Sequence, residues 1–462
     1  MSNRGSNSAR APGWDRLRAI DVNISELSPA PDHARRHPAA QIRDLARSIE
    51  TFGFNAPVVI DDRNRLLAGH ARVEAVKRLG WDIVPAVRVT DLTEAEKRAF
   101  VLADNRLAER ATWDEALLAE NFQILDGLDL EFDLDLTGFA TTEIDRLLGL
   151  DIVDAADEEG ALATLGTGPG VSRPGDLWQL GEHRLLCGDA LEAASYATLL
   201  GDLRSRMVLT DPPYNVRARH IGRTAADVHG NFVAGAGEMD DAGFVDFLAA
   251  MFGHARRVSV DGALAYVFMD WRHAWHVLEA GRRVFDELKM ICVWDKGAGG
   301  LGSLYRSQHE LVFLFKAGRA AHVNNVDLGR NGRNRTNVWS HAGANGLGGL
   351  IEDATRAETL ATHPTVKPVK LLADAILDVS RRGEIVLDPF LGSGSTLIAC
   401  ERVGRRCFGM ELDPRYVDVT LRRWRSYTGE EPVHAATGLP LDRLEAQIRT
   451  TTESTGTGAT AP

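Results

Sequence analysis

Two stretches of the chain end apolar runs in residues that can do chemistry. "VLTDPPYNV" (208–216) follows Val208-Leu209 with Asp211, Pro212, Pro213 and Tyr214, and "VLDPFLGSGST" (386–396) reaches Asp388, Phe390 and then Gly392-Ser393-Gly394. A carboxylate can accept hydrogen bonds from an amine. The prolines beside it fix φ and carry no N–H, so the elbow is rigid, and the tyrosine ring offers a π-face to a planar partner. Taken alone, Asp-Pro-Pro also reads as an ordinary turn. The glycine stretch opens a helix near Ser395 and Thr396, where glycines permit close backbone approach and the helix start supplies free N–H donors. The next apolar run, "CFGMELDP", ends in Glu411, 23 residues beyond Asp388. An acidic residue about 20 residues past such a loop commonly accepts ribose hydroxyls. No Gly-Lys-Ser/Thr follows the glycines, so the pattern predicts an adenosine-type ligand and not a triphosphate.

Elements must hold these residues at strand ends. From 176 to 428 the pattern alternates strand and helix, with strands at "HRLLCGD", "RMVLTD", "GALAYVFMD", "MICVWDK", "ELVFLFK", "EIVLDPF" and "RRCFGMEL". Helical spacing intervenes in "GFVDFLAAMFGHARRV" and "KPVKLLADAILDVSRR". Such alternation predicts an α/β fold, a mostly parallel seven-stranded sheet of Rossmann-like type with helices on both faces. Ligands of such sheets lie at the carboxyl ends of the strands. Ahead of it, 16–90 reads as a small α+β domain: an amphipathic helix at "QIRDLARSIETFG", a hairpin "PVVIDDRNRLLAG", a helix "HARVEAVKRLG" and a closing strand "DIVPAVRV". Residues 91–150 read as a helical, acidic connector and 151–175 as a Gly-rich linker. Residues 1–15 read as a disordered leader and 429–462 as a largely disordered tail.

The formal charge of −12 over 462 residues argues at first against a polyanionic partner. Its distribution removes the objection, because 121–160 alone carries −11, and 296–340 carries +5. Apolar content of 44% and charged content of 26% describe an ordinary globular chain. No apolar run approaches the roughly 20 residues of a membrane span, and the four cysteines have no metal-ligand spacing. The expectation is a cytoplasmic protein with reduced thiols and no metal.

"DPPY", "DPFLGSGST" and "HPTVKPVKLL" (363–372) together resemble the DNA amino-methyltransferases that use S-adenosylmethionine. With the DPPY motif ahead of the glycine loop, the order resembles their permuted β class, over roughly 174–428. The resemblance implies Asp211, Pro212, Pro213 and Tyr214 as catalytic residues. It implies a cofactor pocket lined by Asp189, Thr365, Lys367, Asp388, Phe390, Gly392, Gly394, Ser395, Thr396 and Glu411. The partner implied is double-stranded DNA, with Arg330, Arg333 and Arg335 of "GRNGRNRTNVW" as candidate contacts and the segment 217–238 as a candidate loop over DNA. The expected reaction is methylation of adenine N6. Cytosine N4, an RNA target and a regulatory DNA-binding protein with a decayed methyltransferase half stay open as alternatives.

"LLAGHARVEAVKRLGWDIVPAVRV" resembles the ParB/sulfiredoxin-like domains of partition proteins. That implies a nucleotide, CTP or ATP, near Gly69, His70 and Arg72. Partition proteins usually carry Gly-Glu-Arg-Arg at this turn, and this chain has Gly69-His70-Ala71-Arg72, so a DNA-docking role is an equal expectation. The combination implies a bacterial or phage-borne DNA-associated enzyme, with a homodimer as the candidate assembly.

Overall fold

The computed structural model describes residues 18–29, 36–128, 130–150, 168–216, 237–297, 299, 304–326, 333, 335–341 and 367–456. The leader 1–15, most of the linker 151–175, the loop 217–236, Thr365 and Arg330 lie outside the described residues. The chain divides into two compact units, 1–148 and 149–462.

The first unit begins with strands β1 (Ala19–Asn23) and β2 (Ser28–Pro29), helix α1 (Ala39–Phe52), and the hairpin β3 (Val58–Ile60) and β4 (Arg65–Ala68). Helix α2 (His70–Arg78) and β5 (Ile83–Arg88) close the small domain. The strands form one mixed sheet ordered β1-β5-β3-β4-β2. Its core joins Val58, Ile60, Val84 and Ala86 to the inner faces of α1 and α2, at Ala46, Ile49, Val73 and Val76. The hairpin and both helices fall where their spacing predicts.

Helices α3 (Glu94–Ala108), α4 (Glu115–Asp126) and α5 (Thr141–Leu147) follow. α3 starts with a capping box between Thr93 and Glu96. Phe122, Leu134, Ile144 and Leu147 form a separate core. A stretch that buries its own core is a folded element and more than a connector.

The second unit begins with β6 (Leu177–Leu180), β7 (His183–Cys187), helix α6 (Ala193–Leu200), β8 (Ser205–Thr210), α7 (Asp241–Arg257) and β9 (Ser259–Met269). Helix α8 (Ala274–Val284), β10 (Glu287–Asp295), β11 (His309–Lys316), β12 (Val338–Ser340), α9 (Val369–Val379) and β13 (Ile385–Asp388) come next. Helix α10 (Ser395–Arg402), β14 (Arg406–Glu411), α11 (Pro414–Thr428), β15 (Val433–His434) and α12 (Leu441–Gly456) complete it. All seven predicted strands are present, within a sheet ordered β12-β10-β11-β9-β8-β13-β14-β7-β6-β15. Around β8 the pairing is parallel, to β9 on one side and β13 on the other. β11 runs antiparallel between β9 and β10. Period-two side-chain alternation splits the central strands between two cores. Met207, Leu209, Tyr266 and Val386 face α9, α10 and α11, while Val208, Val267 and Leu387 face α6, α7 and α8. Strands covered on both faces read as continuous apolar runs, the pattern they show in sequence. The four cysteines are buried free thiols, and among the described residues no helix is long and apolar enough to cross a membrane.

Two boundary expectations need correction. Residues 429–456 are ordered: β15 pairs with β6 at the sheet edge, and α12 lays Leu441, Leu444 and Ile448 on the core beside Trp178 and Trp424. The buried Glu445 carboxylate accepts from Arg422 Nε at 2.8 Å. Low-complexity residues beyond 450 drew the whole segment toward disorder in the sequence reading. The linker ends early as well, because the N–H groups of Val171 and Ser172 both donate to the Asp418 carboxylate at 2.9 Å. Breaking the buried pair by Glu445→Ala leaves Arg422 without its carboxylate. We expect a loss of about 3–5 kcal/mol, read as a lower urea midpoint; an unchanged midpoint would restore the disordered-tail reading.

Candidate active site

Asp211 follows β8 in the middle of the sheet, at the carboxyl edge. The sheet brings a set of charges around it that lie far apart in sequence. Tyr214 hydroxyl stands 2.6 Å from Asp211 Oδ1 and 3.1 Å from Glu310 Oε2, one proton between two acceptors. Lys367 Nζ donates to Asp211 Oδ2 at 2.5 Å and lies 3.2 Å from Glu310 Oε2. Lys296 Nζ pairs with the other Glu310 oxygen. Three rings surround the Lys367 ammonium, those of Phe268, Tyr214 and Trp294, at 5.3, 5.6 and 5.8 Å. Lys367 is 7% exposed and Glu310 12%, whereas Asp211 and Lys296 are 25% and 26% exposed, so the cluster opens at the Asp211 carboxylate and at the Lys296 ammonium.

Burial governs the electrostatics. It pushes the Asp211 carboxyl up, with Lys367 opposing and Glu310 reinforcing the rise. Burial would raise Glu310 too, but the Lys367 and Lys296 ammoniums outweigh it and hold Glu310 down at about 2. Lys367 keeps its proton, because the two carboxylates outweigh its own burial. Asn215, at the positive φ of 53°, ends the elbow, and its side-chain amide donates to the Met239 carbonyl at 2.8 Å.

The glycine loop sits on the neighbouring strands. β13 pairs in parallel with β8 and with β14, so the loop after Asp388 and the end of β14 at Glu411 lie beside the elbow. Gly392 and Gly394 have φ of 55° and 87°, a region that side chains with a Cβ rarely adopt. A Cβ at Gly394 would come within 2.7 Å of Thr420 Cγ2. Glu411 Oε2 accepts from Gly392 N at 3.0 Å and Oε1 from Asp413 N at 2.8 Å. Burial pushes Glu411 up to about 7 against these bonds. Asp388 also rises to about 7, through burial and, more weakly, the nearby Asp211 charge. Asp189, after β7, accepts from Leu191 N at 2.8 Å. Phe390, part-buried, tilts its ring toward Phe247.

The structure revises several sequence expectations. Lys367, expected at the cofactor, instead pairs with the carboxylate of the elbow. Thr396 hydroxyl donates to Asp388 at 2.7 Å, and Ser395 Oγ accepts from Arg423 at 3.1 Å. Both side chains are buried, and their hydrogen bonds brace the loop. Arg333 and Arg335 are paired with Asp374 and Asp378 of α9, and Arg335 lies over the Trp339 ring. Two carboxylates one helical turn apart pair with both guanidiniums, so in this structure both arginines are engaged within the domain. In the first unit, Gly69 has the left-handed conformation at the start of α2. Arg72 folds back over it to donate to the Pro57 carbonyl at 3.3 Å, and His70 opens α2.

Glu310, Lys296, Phe268 and Trp294 escaped the sequence reading. Charged residues at the mouth of the β10–β11 hairpin, "WDK" and "HEL", were the available signal; Trp294 and Glu310 are register partners. Gly394→Ala should cost about 1–3 kcal/mol, since it forces a left-handed φ and a clash. Gly253→Ala, in α7 with open space around it, should be neutral or stabilising by up to about 1 kcal/mol. Equal denaturation midpoints for the two variants would contradict the loop geometry.

Comparison with known proteins follows the same division. The model of the DNA methylase family matches residues 205–422, that of the ParB N-terminal domain 13–106, and that of the ParB-methyltransferase HTH domain 116–174. The last replaces the connector reading of the helical segment. Type II methyltransferase M.HpaI of Haemophilus parainfluenzae is 23% identical over 257 residues, 52% of this chain and 74% of that protein. The DNA adenine methyltransferase YhdJ of Escherichia coli is 25% identical over 236 residues, 47% of this chain and 75% of that protein. The ParB-like nuclease domain-containing protein YnaK, also of Escherichia coli, is 37% identical over 84 residues, 18% of this chain and 97% of that protein. The chain therefore carries an N6/N4-type DNA methylase domain at residues 205–422, with a ParB N-terminal domain and a ParB-methyltransferase HTH domain ahead of it.

Proposed function

We propose that the chain methylates the exocyclic N6 of adenine in DNA, with S-adenosylmethionine as methyl donor. The observation that carries this reading is the placement of Asp211. It is a carboxylate at the mid-sheet carboxyl edge, beside an aromatic ring, one strand from a left-handed glycine loop tied to Glu411. The residues present fit the donor. A loop of Gly392 and Gly394 admits close backbone approach, and Glu411 and Asp189 end adjacent strands where ribose and base hydrogen bonds are needed.

When bound, S-adenosylmethionine supplies an electrophilic methyl group on a sulfonium. The chain's residues supply the rest. An exocyclic amino nitrogen is a poor nucleophile because its lone pair is delocalised into the ring. Asp211 and the Pro212 carbonyl accept its N–H bonds and favour tetrahedral nitrogen, which localises the lone pair. Rigid placement of such acceptors contributes several kcal/mol, of order 3–4 per preorganised group in comparable sites. The Tyr214 ring, tethered through its hydroxyl, gives a flipped base a stacking face. Glu411 would accept ribose hydroxyls best as a carboxylate. Its free pKa of about 7 then falls on donor binding, so binding releases a proton and strengthens as pH rises through 7.

Adenine is favoured over cytosine by the Asp-Pro-Pro-Tyr elbow and by the similarity to YhdJ, itself described as a DNA adenine methyltransferase. The same acceptors would serve cytosine N4. Double-stranded DNA is the substrate partner. For the N-terminal domain we infer DNA docking, with CTP as the candidate ligand, since Arg72 is turned onto its own turn. Mass spectrometry of nucleosides from DNA incubated with the protein and donor should show N6-methyladenine. N4-methylcytosine would overturn the base assignment, and the absence of any methylated nucleoside would overturn the activity.

A further inference from the structure

We propose that Lys367 is a positioning residue whose ammonium stands, in the free protein, where the target amino group must go on Asp211, and withdraws to Glu310 when that amine arrives. The proposal rests on the reading of Asp211 as the amine acceptor. Three observations carry it. Lys367 Nζ is an N–H donor 2.5 Å from Asp211 Oδ2, a contact that an incoming amine would also make. It is framed by the rings of Phe268, Tyr214 and Trp294, surroundings that suit an amine-bearing planar base as well as an ammonium. Its second acceptor is already in place, since Glu310 Oε2 is 3.2 Å away. The ammonium can give up Asp211 without leaving its ion pair. The four-carbon stem permits such a shift, while its backbone is fixed just ahead of Pro368, the N-cap of α9.

The arrangement also answers an electrostatic requirement. Asp211 is faced by Lys367, Tyr214 and Glu310, with Asp388 on the neighbouring strand. Burial and Glu310 favour its protonated form, whose hydroxyl would donate and leave a weaker acceptor for the amine hydrogen assigned to Asp211. Lys367 is the cation that opposes that rise. Glu310 has a second cation, Lys296, and keeps its own charge as the Lys367 ammonium moves between the carboxylates.

The test compares wild type with Lys367→Met, Lys367→Arg and Glu310→Gln. The Asp211 carboxyl is followed by 13C NMR in the protein without donor or DNA, its signal identified by loss in Asp211→Asn. In parallel, kcat/KM for DNA is followed against pH at saturating S-adenosylmethionine, so that Glu411 is already in its bound state. Lys367→Met should raise the Asp211 titration, and the acid limb of kcat/KM, by about 1 to 3 pH units. Above that limb its KM for DNA should be no higher than wild type, because nothing has to be displaced. Lys367→Arg should keep the limb near wild type, and Glu310→Gln should move it to lower pH. An Asp211 titration indifferent to both 367 and 310 contradicts the proposal. So does a Lys367→Met protein whose rate falls equally at every pH, as loss of a purely structural ion pair would cause. Should Lys367→Met fail to fold, the opposite shift in Glu310→Gln and the retained limb in Lys367→Arg decide the matter. A wild type that methylates no DNA contradicts the functional reading itself, whereas an active wild type with an indifferent Asp211 contradicts only the place-holding role.

Discussion

Everything at the proposed reaction centre depends on one part-buried cluster, two carboxylic groups and two ammoniums formed by Asp211, Glu310, Lys367 and Lys296. Removing such charges from water costs several kcal/mol per ion, and only close pairing offsets it. The pairing in turn demands a specific topology. Asp211 comes from the end of β8, Glu310 and Lys296 from the mouth of the β10–β11 hairpin, and Lys367 from the residue before the α9 N-cap. Four segments separated by up to 156 positions must meet within hydrogen-bonding distance. The parallel β8–β9 pair and the antiparallel β9–β11–β10 run bring three of them to one edge. The cluster opens at Lys296 and at Asp211, and Asp211 is the oxygen-bearing group a DNA amine would need.

The glycine loop imposes the second constraint. Because β13 lies between β8 and β14, a donor held by Gly392, Gly394 and Glu411 would stand beside the amine acceptors without any domain movement. The loop is braced from beneath by Thr396 on Asp388 and Arg423 on the Ser393 carbonyl. Its residues are thereby divided between those that shape the turn and those left to face a ligand. Burial raises the carboxyls of Asp388 and Glu411 at this same spot, against the hydrogen bonds each already accepts.

Much of this was legible in sequence, and the reasons differ by element. The strands at the middle of the sheet, β8, β9, β13 and β14, are covered on both faces, so each carries an apolar run closed by a polar residue. Short edge strands such as β12 and β15 bury little and leave no such run. α12 was hidden by the low-complexity residues that follow it, although Leu441, Leu444, Glu445 and Ile448 keep helical spacing. Asp211, Tyr214, Gly392, Gly394 and Glu411 stood out because turn chemistry and strand ends are local. The partners of Asp211 did not, because ion pairing is long-range. Lys296, Arg333 and Arg335 counted as a basic stretch along the chain, yet each faces a carboxylate that only the fold supplies. The helical segment 115–147 was read by its acidity, which concealed the core that makes it a separate folded element.

The central claim is that Asp211 acts on the amine and does not hold the methyl donor. The direct measurement is single-turnover methyl transfer by Asp211→Asn on DNA, with S-adenosylmethionine binding followed by calorimetry on the same protein. The account predicts that transfer falls at least about a hundredfold, as for loss of a preorganised charged acceptor, while donor affinity stays within a few-fold of wild type. Transfer near the wild-type rate, or loss of donor binding in step with loss of activity, would contradict it.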